Sequence, residues 1–309
     1  MKPIFVIEML SEGQTDEKGE LSKEGMVDAF KLGMKRKEEY AHLKPLISKE
    51  RYKPEQILSL STDSATTDTG YKMLQGLYPM SEWRHPLNVN FLADQSYLWK
   101  TQFEQIIMGM TDVWTDEVAV CSEFPIYKVP KNIDGLLNVK NCAKANALLS
   151  NEDFKNKKLD ENLADDSYRA LLSRQLRPLT DVLANVITSR EKKSVDHLKY
   201  LILNVHETNV ANFLRFLGYW DEYGYEKFTR FSSSVRVELI SRKERFWQIG
   251  YYIRVIYDDE VIKLPWCANQ GYLCPATEFI QYFENNLISD KGFIDQYCEG
   301  TAGDVNYTQ

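Results

Sequence analysis

Two short polar segments hold the residues best suited to chemistry, and each comes straight after an apolar run. Residues 11–15 read Ser-Glu-Gly-Gln-Thr, and His206-Glu207 follow an apolar stretch at 199–205. Open α/β sheets place ligands and catalytic groups in loops at the carboxyl ends of their strands. If the preceding runs are strands of one sheet, Glu12, His206 and Glu207 lie at the same edge.

Two carboxylates and an imidazole allow three interpretations. Carboxylates across a cleft are the minimum equipment of a glycosidase, and an imidazole beside them can transfer a proton. Glu12, His206 and Glu207 are also chemically acceptable zinc ligands, although nothing in their spacing indicates a metal site. The third interpretation is that they only hydrogen-bond neighbouring loops, and we favour it because no second motif supports sugar chemistry.

The surrounding pattern predicts the strands that position these residues. Short apolar runs at 3–9, 57–60 and 199–205 are typical of strands buried in a parallel sheet. Residues 234–239 and 248–255 alternate approximately with period two, which is typical of antiparallel strands. The sequence therefore predicts a mixed sheet.

Helices are predicted between these strands. Ser22 is a typical N-cap for a first helix, and Asp63 is one for a second helix at 65–77. A longer helix is expected over 165–186. The charged run at 35–39 continues the first helix, and we expect it to be a solvated end.

Four blocks of the sequence match a known pattern in their order and spacing. Residues 11–15, 19–22 (Gly-Glu-Leu-Ser), 61–67 (Ser-Thr-Asp-Ser-Ala-Thr-Thr) and 206–210 (His-Glu-Thr-Asn-Val) are similar to Arg-His-Gly-x-Arg, Gly-Glu-Leu-Thr, Ser-Thr-Asp-x-x-Arg-Thr and His-Asp-Thr-x-Val. Those motifs belong to the histidine acid phosphatases, branch 2 of the histidine phosphatase superfamily. The chain thus resembles this family over most of its length.

The resemblance implies a fold and a domain organisation. It implies an α/β fold, a three-layer αβα sandwich with a mixed, mostly parallel central sheet and an inserted, mainly helical cap. Residues 1–80 and 195–309 would form the α/β core, and residues 81–194 the cap.

The catalytic residues of the family are mostly missing. There, the loop histidine attacks phosphorus, three arginines and a second histidine hold the phosphoryl oxygens, and an acid protonates the leaving group. Of these groups the chain keeps the second histidine, His206. The resemblance places other side chains at the remaining positions: Glu12 at the nucleophile, followed by Gly13, then Ser11, Thr15 and Thr66 at the arginines, and Glu207 at the proton donor.

A shift of the alignment would not restore the missing groups. The first histidine of the chain is His42 and the first arginine is Arg36. Arg84-His85-Pro86 is similar to a displaced Arg-His-Gly, but it lies in a proline-bearing loop of the insertion and not after a core strand. Because phosphoryl transfer depends on positioning and on cations around the phosphoryl oxygens, we expect a catalytically degraded member with no phosphatase activity, cofactor or metal.

Composition excludes some classes of protein. A net charge of −7 and a pI near 5.3 argue against a nucleic-acid-binding protein, which needs a basic surface. No apolar stretch approaches the roughly 18 residues of a membrane span. We therefore expect neither nucleic-acid binding nor a transmembrane segment. If the chain is an accessory subunit, its partners are other protein subunits of a larger complex.

Five cysteines bear on the cellular compartment. The resemblance pairs Cys267 with Cys274 and Cys142 with Cys298, and it leaves Cys121 over. Paired cysteines imply an oxidising compartment, whereas reduced thiols would fit the cytoplasm. Since the first strand begins almost at the start of the sequence, with no secretory signal before it, we expect the mitochondrial intermembrane space. The alternatives are a secreted protein with its signal removed and a cytoplasmic one.

Three functions follow from a degraded phosphatase. The first is a structural or accessory subunit of a larger assembly, for example a mitochondrial inner-membrane respiratory complex. The second is a hydrolase of altered chemistry that uses Glu12, His206 and Glu207. The third is a module that binds a neutral or cationic ligand in the cleft that holds the phosphoryl group in the family.

Overall fold

The structure is a computed structural model. It describes residues 2–79, 118–121, 124–129, 137, 142, 148–149, 159–191, 198–219, 231–244, 248–268 and 272–299. The strands in these ranges are β1 (Pro3–Ser11), β2 (Ile57–Ser61), β3 (Val118–Cys121), β4 (Phe124–Lys128), β5 (Tyr200–Val205), β6 (Ser234–Lys243), β7 (Ile249–Tyr257), β8 (Glu260–Ile262) and β9 (Cys274–Pro275). The helices are α1 (Lys23–Lys37), which continues into a π-helical segment (Glu38–Leu43), α2 (Ser64–Leu77), α3 (Leu159–Leu163), α4 (Asp166–Glu191), α5 (Glu207–Phe216), α6 (Ala276–Asn286) and α7 (Lys291–Glu299).

All described strands belong to one sheet with the order β3-β4-β2-β5-β1-β6-β7-β8, and β9 pairs with β7. The four central strands β4, β2, β5 and β1 are parallel. Antiparallel pairs flank them on both sides. The mixed sheet of an α/β fold is thus confirmed, and its antiparallel share is larger than expected.

Helices cover both faces of the sheet because side chains alternate along each strand. In β1, Val6 and Leu10 face the helices α1 and α2. Phe5, Ile7 and Met9 face the other way, into the larger apolar core that α4, α5, α6 and α7 cover. This arrangement is the three-layer sandwich implied by the resemblance.

The helices α1 and α2 cross at very short range through two glycines. A Cβ atom on Gly33 would lie 1.9 Å from the carbonyl oxygen of Met73, and one on Gly76 would lie 2.0 Å from that of Phe30. A third glycine, Gly70, packs directly against the side chain of Asn204 in β5. These close approaches explain why three residues that disfavour helices are found here.

Parts of the predicted cap, residues 81–194, belong to the main body of the molecule. Strand β4 pairs with β2 in the central sheet. Helix α4 lies against α7 and α6, where the hydroxyl of Ser173 accepts a hydrogen bond from the backbone N–H of Ile288 (2.8 Å) and Arg174 pairs with Asp295 (3.1 Å). The Arg84-His85-Pro86 segment and most of residues 81–158 lie outside the described residues, so the division into core and cap stays a prediction.

The prediction of a solvated end at 35–39 is wrong for Arg36. Its side chain is completely buried and reaches Glu8 of β1, with Nη2 of the arginine 2.9 Å from Oε1 of the glutamate. It also pairs with Asp259 (3.1 Å) and lies 3.7 Å from Glu39. A buried carboxylate such as that of Glu8 requires a partner of opposite charge, and the first helix supplies it.

Both expected cysteine pairs lie at disulfide-bond distance. The Cα atoms of Cys142 and Cys298 are 4.1 Å apart, and those of Cys267 and Cys274 are 5.9 Å apart. Cys121 ends β3. Within the described ranges, no helix has the length and apolar character required to cross a bilayer.

Candidate functional site

Three acidic and basic side chains meet at the carboxyl ends of three adjacent strands. His206 directly follows β5, the middle strand, and its two ring nitrogens point to opposite sides. Nδ1 lies 3.0 Å from Oε1 of Glu12, which follows β1, and Nε2 lies 2.8 Å from Oδ2 of Asp63, which follows β2. Because the strand order is β2-β5-β1, one imidazole joins both neighbouring strands.

The surroundings keep this imidazole charged. Hydrogen bonds to Asp63 and Glu12 raise the pKa of His206 to about 10, against the opposing effect of burial. The pKa of Asp63 is lowered well below its ordinary value by His206 and by hydrogen bonds from Thr66, although burial acts in the opposite direction. At neutral pH His206 is therefore an imidazolium between two carboxylates, and the cluster is net negative.

Local backbone bonds fix the two acids. The N–H of Glu12 donates to the carbonyl of Val205 (3.0 Å), and its own carbonyl accepts from the N–H of Ser232 (2.9 Å). Asp63 caps α2 through a capping box, in which Thr66 N–H donates to Asp63 Oδ1 (3.0 Å) and Asp63 N–H donates to Thr66 Oγ1 (3.1 Å). Each acid is thus held by hydrogen bonds that do not involve the histidine.

Glu207, the expected proton donor, is the first residue of α5 and is half-buried beside this cluster. Burial raises its pKa above the ordinary value, the charge of Glu12 raises it further, and His206 lowers it. Its carboxyl group is therefore easier to protonate than that of an exposed glutamate.

The other expected pocket residues carry no charge, and they hold the loops of the site in place by packing and hydrogen bonds. Ser11 is the last residue of β1 and is buried, with its Oγ 3.4 Å from that of Ser233. The N–H of Gly13 donates to Oγ1 of Thr69 (3.0 Å), and a Cβ at Gly13 would overlap the side chain of Leu21. Thr15 forms a backbone bridge with Leu21. Gly13 thus ties the first loop to α2, and Thr15 ties it to the segment just before α1.

The metal interpretation finds no support at this edge. In the described part of the chain, Glu12, His206 and Glu207 do not form a group whose ligand atoms all lie within 4.8 Å of one another. The two nitrogens of His206 already face carboxylates, so neither is directed at a shared ion.

Asp63 is a residue of this edge that the sequence analysis did not assign to the site. It was expected only as a helix cap. In the structure its carboxylate caps α2 and also pairs with His206. Oδ1 accepts from the helix while Oδ2 faces His206. The available signal was its position in the loop that follows the apolar run at 57–60, since Glu12 and His206 also follow apolar runs.

Comparisons with known proteins bear on the fold. No protein-family model matches the sequence. No curated protein matches it either. The phytase from Citrobacter braakii is similar in structure at 12% identity, with a TM-score of 0.50 over 93% of this chain and 98% of that one. The multiple inositol polyphosphate phosphatase of Bifidobacterium longum in complex with phosphate is similar at 11% identity, with a TM-score of 0.50 over 94% of each chain.

The chain has the fold of the histidine acid phosphatases. At this level of identity the likeness concerns the fold alone. The chemical properties of the site depend on the residues at the edge of β2, β5 and β1. There the structure combines one imidazolium with the carboxylates of Glu12 and Asp63 and with Glu207 nearby.

Proposed function

We propose that this protein is a non-catalytic relative of the histidine acid phosphatases, in which the residues of the old cleft act as a structural clamp. The observation that carries the proposal is the position of His206 between Glu12 and Asp63, at 3.0 and 2.8 Å. The clamp joins the ends of three central strands, and the chain works through its surfaces as an accessory subunit.

The charges of the cleft support loss of phosphoryl transfer. Such reactions depend on cations that neutralise the equatorial oxygens, and loss of one preorganised donor typically costs about 10²–10³ in rate. Among the described residues at this edge, the cation is His206, and it is already paired with two carboxylates. At an effective dielectric of about 20, each negative charge of a phosphate placed about 4 Å from the net negative charge of this cluster would be repelled by about 4 kcal/mol.

The protonation of His206 supports the same conclusion. An imidazolium donates through both nitrogens and has no lone pair for attack on phosphorus or for removal of a proton. With a pKa raised to about 10, this is the dominant form at neutral pH. His206 is therefore unsuited to act as nucleophile or general base.

An assay of phosphate-ester hydrolysis tests the proposal. The purified chain should release no product from p-nitrophenyl phosphate or inositol hexakisphosphate above the rate of a matched His206→Gln variant. Turnover that the His206→Gln substitution abolishes would overturn the proposal. A correctly folded sample, judged by cooperative unfolding, is required for either result.

Exposed apolar side chains on the surface of the protein support the accessory role. Helix α1 exposes Val27 and Met34 to about half of their area, and their spacing of seven residues places both on one face. Leu43, in the π-helical segment that follows, is 69% exposed. The proposed hosts are assemblies in an oxidising compartment, which the two cysteine pairs favour, and the mitochondrial intermembrane space with its respiratory complexes is our first candidate. Co-migration with a large complex on native gels supports this role, and a monomeric species in gentle extracts contradicts it.

A hydrolase of altered chemistry is the second candidate, and the raised pKa of Glu207 favours it. A half-buried glutamate with a raised pKa is suited to donate a proton, as general acids of glycosidases do. A screen of aryl glycosides, with Glu207→Gln as the control, tests this function. Activity that the Glu207→Gln substitution removes would replace the clamp proposal.

A further inference from the structure

A second cluster of reactive side chains lies far along the chain from the clamp. It consists of Cys267, Cys274 and Glu278. The two sulfur atoms and one carboxylate oxygen all lie within 4.8 Å of one another. Both cysteines are almost completely buried, and Glu278 is half-buried. Thiolates and a carboxylate are zinc ligands, and a spacing of Cys-x₆-Cys-x₃-Glu is short enough to close around one ion.

We propose that Cys267, Cys274 and Glu278 form a Zn²⁺ site when the Cys267–Cys274 disulfide is reduced. Two electrons from a dithiol, which itself becomes a disulfide, break the S–S bond and leave two thiols. Zn²⁺ then binds both sulfurs and one carboxylate oxygen, and two protons are released to solvent. Water takes the fourth position of the tetrahedron, as in sites with three protein ligands.

The geometry of Glu278 carries the proposal. Its Oε2 lies 3.5 Å from Sγ of Cys267 and also accepts a hydrogen bond from the backbone N–H of Ala268 (3.1 Å). Two tetrahedral zinc ligands at about 2.3 Å (sulfur) and about 2.1 Å (oxygen) lie about 3.6 Å from each other. The carboxylate is therefore already at ligand distance from one sulfur, and a backbone group holds it there.

The positions of the two cysteines do not depend on the disulfide alone. Cys274 belongs to β9 and pairs with Ile253 of β7. The N–H of Cys267 donates to Leu264 (3.1 Å), and the neighbouring Trp266 stacks on Tyr282 with ring centroids 3.9 Å apart. Reduction therefore leaves two thiols close together, and they need to separate only to about 3.8 Å to bind one tetrahedral ion.

Cobalt binding to the full-length chain tests the site, because Co²⁺ occupies zinc sites and thiolate ligands give it an intense near-ultraviolet charge-transfer band. The chain is reduced with dithiothreitol, freed of reductant without oxygen, and titrated with Co²⁺ and then with Zn²⁺. We expect one equivalent of Co²⁺ with a thiolate band, its displacement by one equivalent of Zn²⁺, and no binding by the oxidised chain.

Variants assign the ligands. Cys267→Ser should abolish the thiolate band, and Glu278→Gln should weaken Co²⁺ binding by about tenfold or more, the order expected when a metal site loses a supporting group. Cys142→Ser, which removes a thiol of the other pair, should leave the band and the affinity unchanged. Glu278→Gln keeps both cysteines, so its oxidised form shows by circular dichroism whether the fold is intact. A reduced chain that binds no Co²⁺, or a band that survives in Cys267→Ser or keeps its affinity in Glu278→Gln, would overturn the proposal.

Discussion

Nε2 of His206 lies 2.8 Å from Oδ2 of Asp63, although 143 residues separate them in the sequence (206 − 63). The opposite ring nitrogen faces Glu12 at 3.0 Å. Both contacts lie at the carboxyl ends of the parallel strands, which is the edge where open α/β sheets bind their ligands. Here the edge is closed by an ion pair on each side of one imidazole.

The ionisation of His206 is the first prediction. Nuclear magnetic resonance of the ring nitrogens should show a pKa near 10, because two carboxylates stabilise the imidazolium. Asp63→Asn should lower this pKa towards the ordinary value of about 6.5. Asparagine caps helices as well as aspartate does, so the start of α2 should be unaffected. A ring that titrates near pH 6.5 in the unmodified chain would show that the clamp is absent.

The pH dependence of stability is the second prediction. His206 has a raised pKa when folded, so its contribution is complete below about pH 6.5 and is lost as the pH rises through about 10. Asp63 has a lowered pKa, so its contribution is present above about pH 3.8 and is lost at lower pH. Near pH 6 the free energy of unfolding of the unmodified chain should exceed that of His206→Gln by about 2 kcal/mol. This is less than the loss of about 3–5 kcal/mol that follows when one partner of a fully buried ion pair is removed.

Urea denaturation of both proteins at several pH values measures this difference. The difference should shrink above pH 6.5, at no more than about 1.4 kcal/mol per pH unit, and should also shrink below pH 4. Titrating groups that do not interact with His206 affect both proteins equally and cancel. A difference that stays constant from pH 4 to pH 10 would mean that His206 contributes only through packing.

The buried pair of Arg36 and Glu8 gives the third prediction. Arg36→Leu should destabilise the protein by about 3–5 kcal/mol, because it leaves a buried carboxylate without its partner. The double variant Arg36→Leu/Glu8→Gln should recover a large part of this loss. Lys35→Leu is the matched control, since Lys35 is 57% exposed and its ion pair should contribute less than about 1 kcal/mol. Equal effects of Arg36→Leu and Lys35→Leu on urea unfolding would contradict the role of the buried pair.

The crossing of α1 and α2 gives the fourth prediction. Gly33→Ala and Gly76→Ala should each destabilise the protein by about 2–3 kcal/mol, because the new methyl groups would overlap backbone carbonyls. Helix propensity alone predicts the opposite sign, a gain of about 1 kcal/mol. Gly292→Ala in α7 is the control. Its Cβ would meet a side-chain oxygen of Asp290 at 3.2 Å and would not overlap a backbone carbonyl. A gain in stability at Gly33 or Gly76 in thermal unfolding would refute the close crossing.

The parts of the fold that local patterns encode could be predicted from the sequence. The apolar runs of β1, β2 and β5 and the caps Ser22 and Asp63 are local signals, and all five lie where they were expected. They place Glu12 and His206 at one sheet edge, which is the frame of the site.

The features that depend on long-range contacts could not be predicted. Arg36 lies in a charged run that is typical of a solvated helix end, and only the register of α1 over β1 reveals that it faces Glu8. Asp63 already had a local explanation as a cap. Its second role depends on the strand order β2-β5-β1, which no local pattern specifies.

Binding of inorganic phosphate at neutral pH tests the central claim most directly. The ring resonances of His206 report on any anion that enters the cleft, and they can be followed while phosphate is added. We expect no shift up to about 10 mM phosphate, which corresponds to a binding free energy weaker than roughly −3 kcal/mol. A saturable shift of these resonances at lower concentrations, together with release of the ring from Glu12 and Asp63, would contradict the clamp and restore the cleft as a phosphate site.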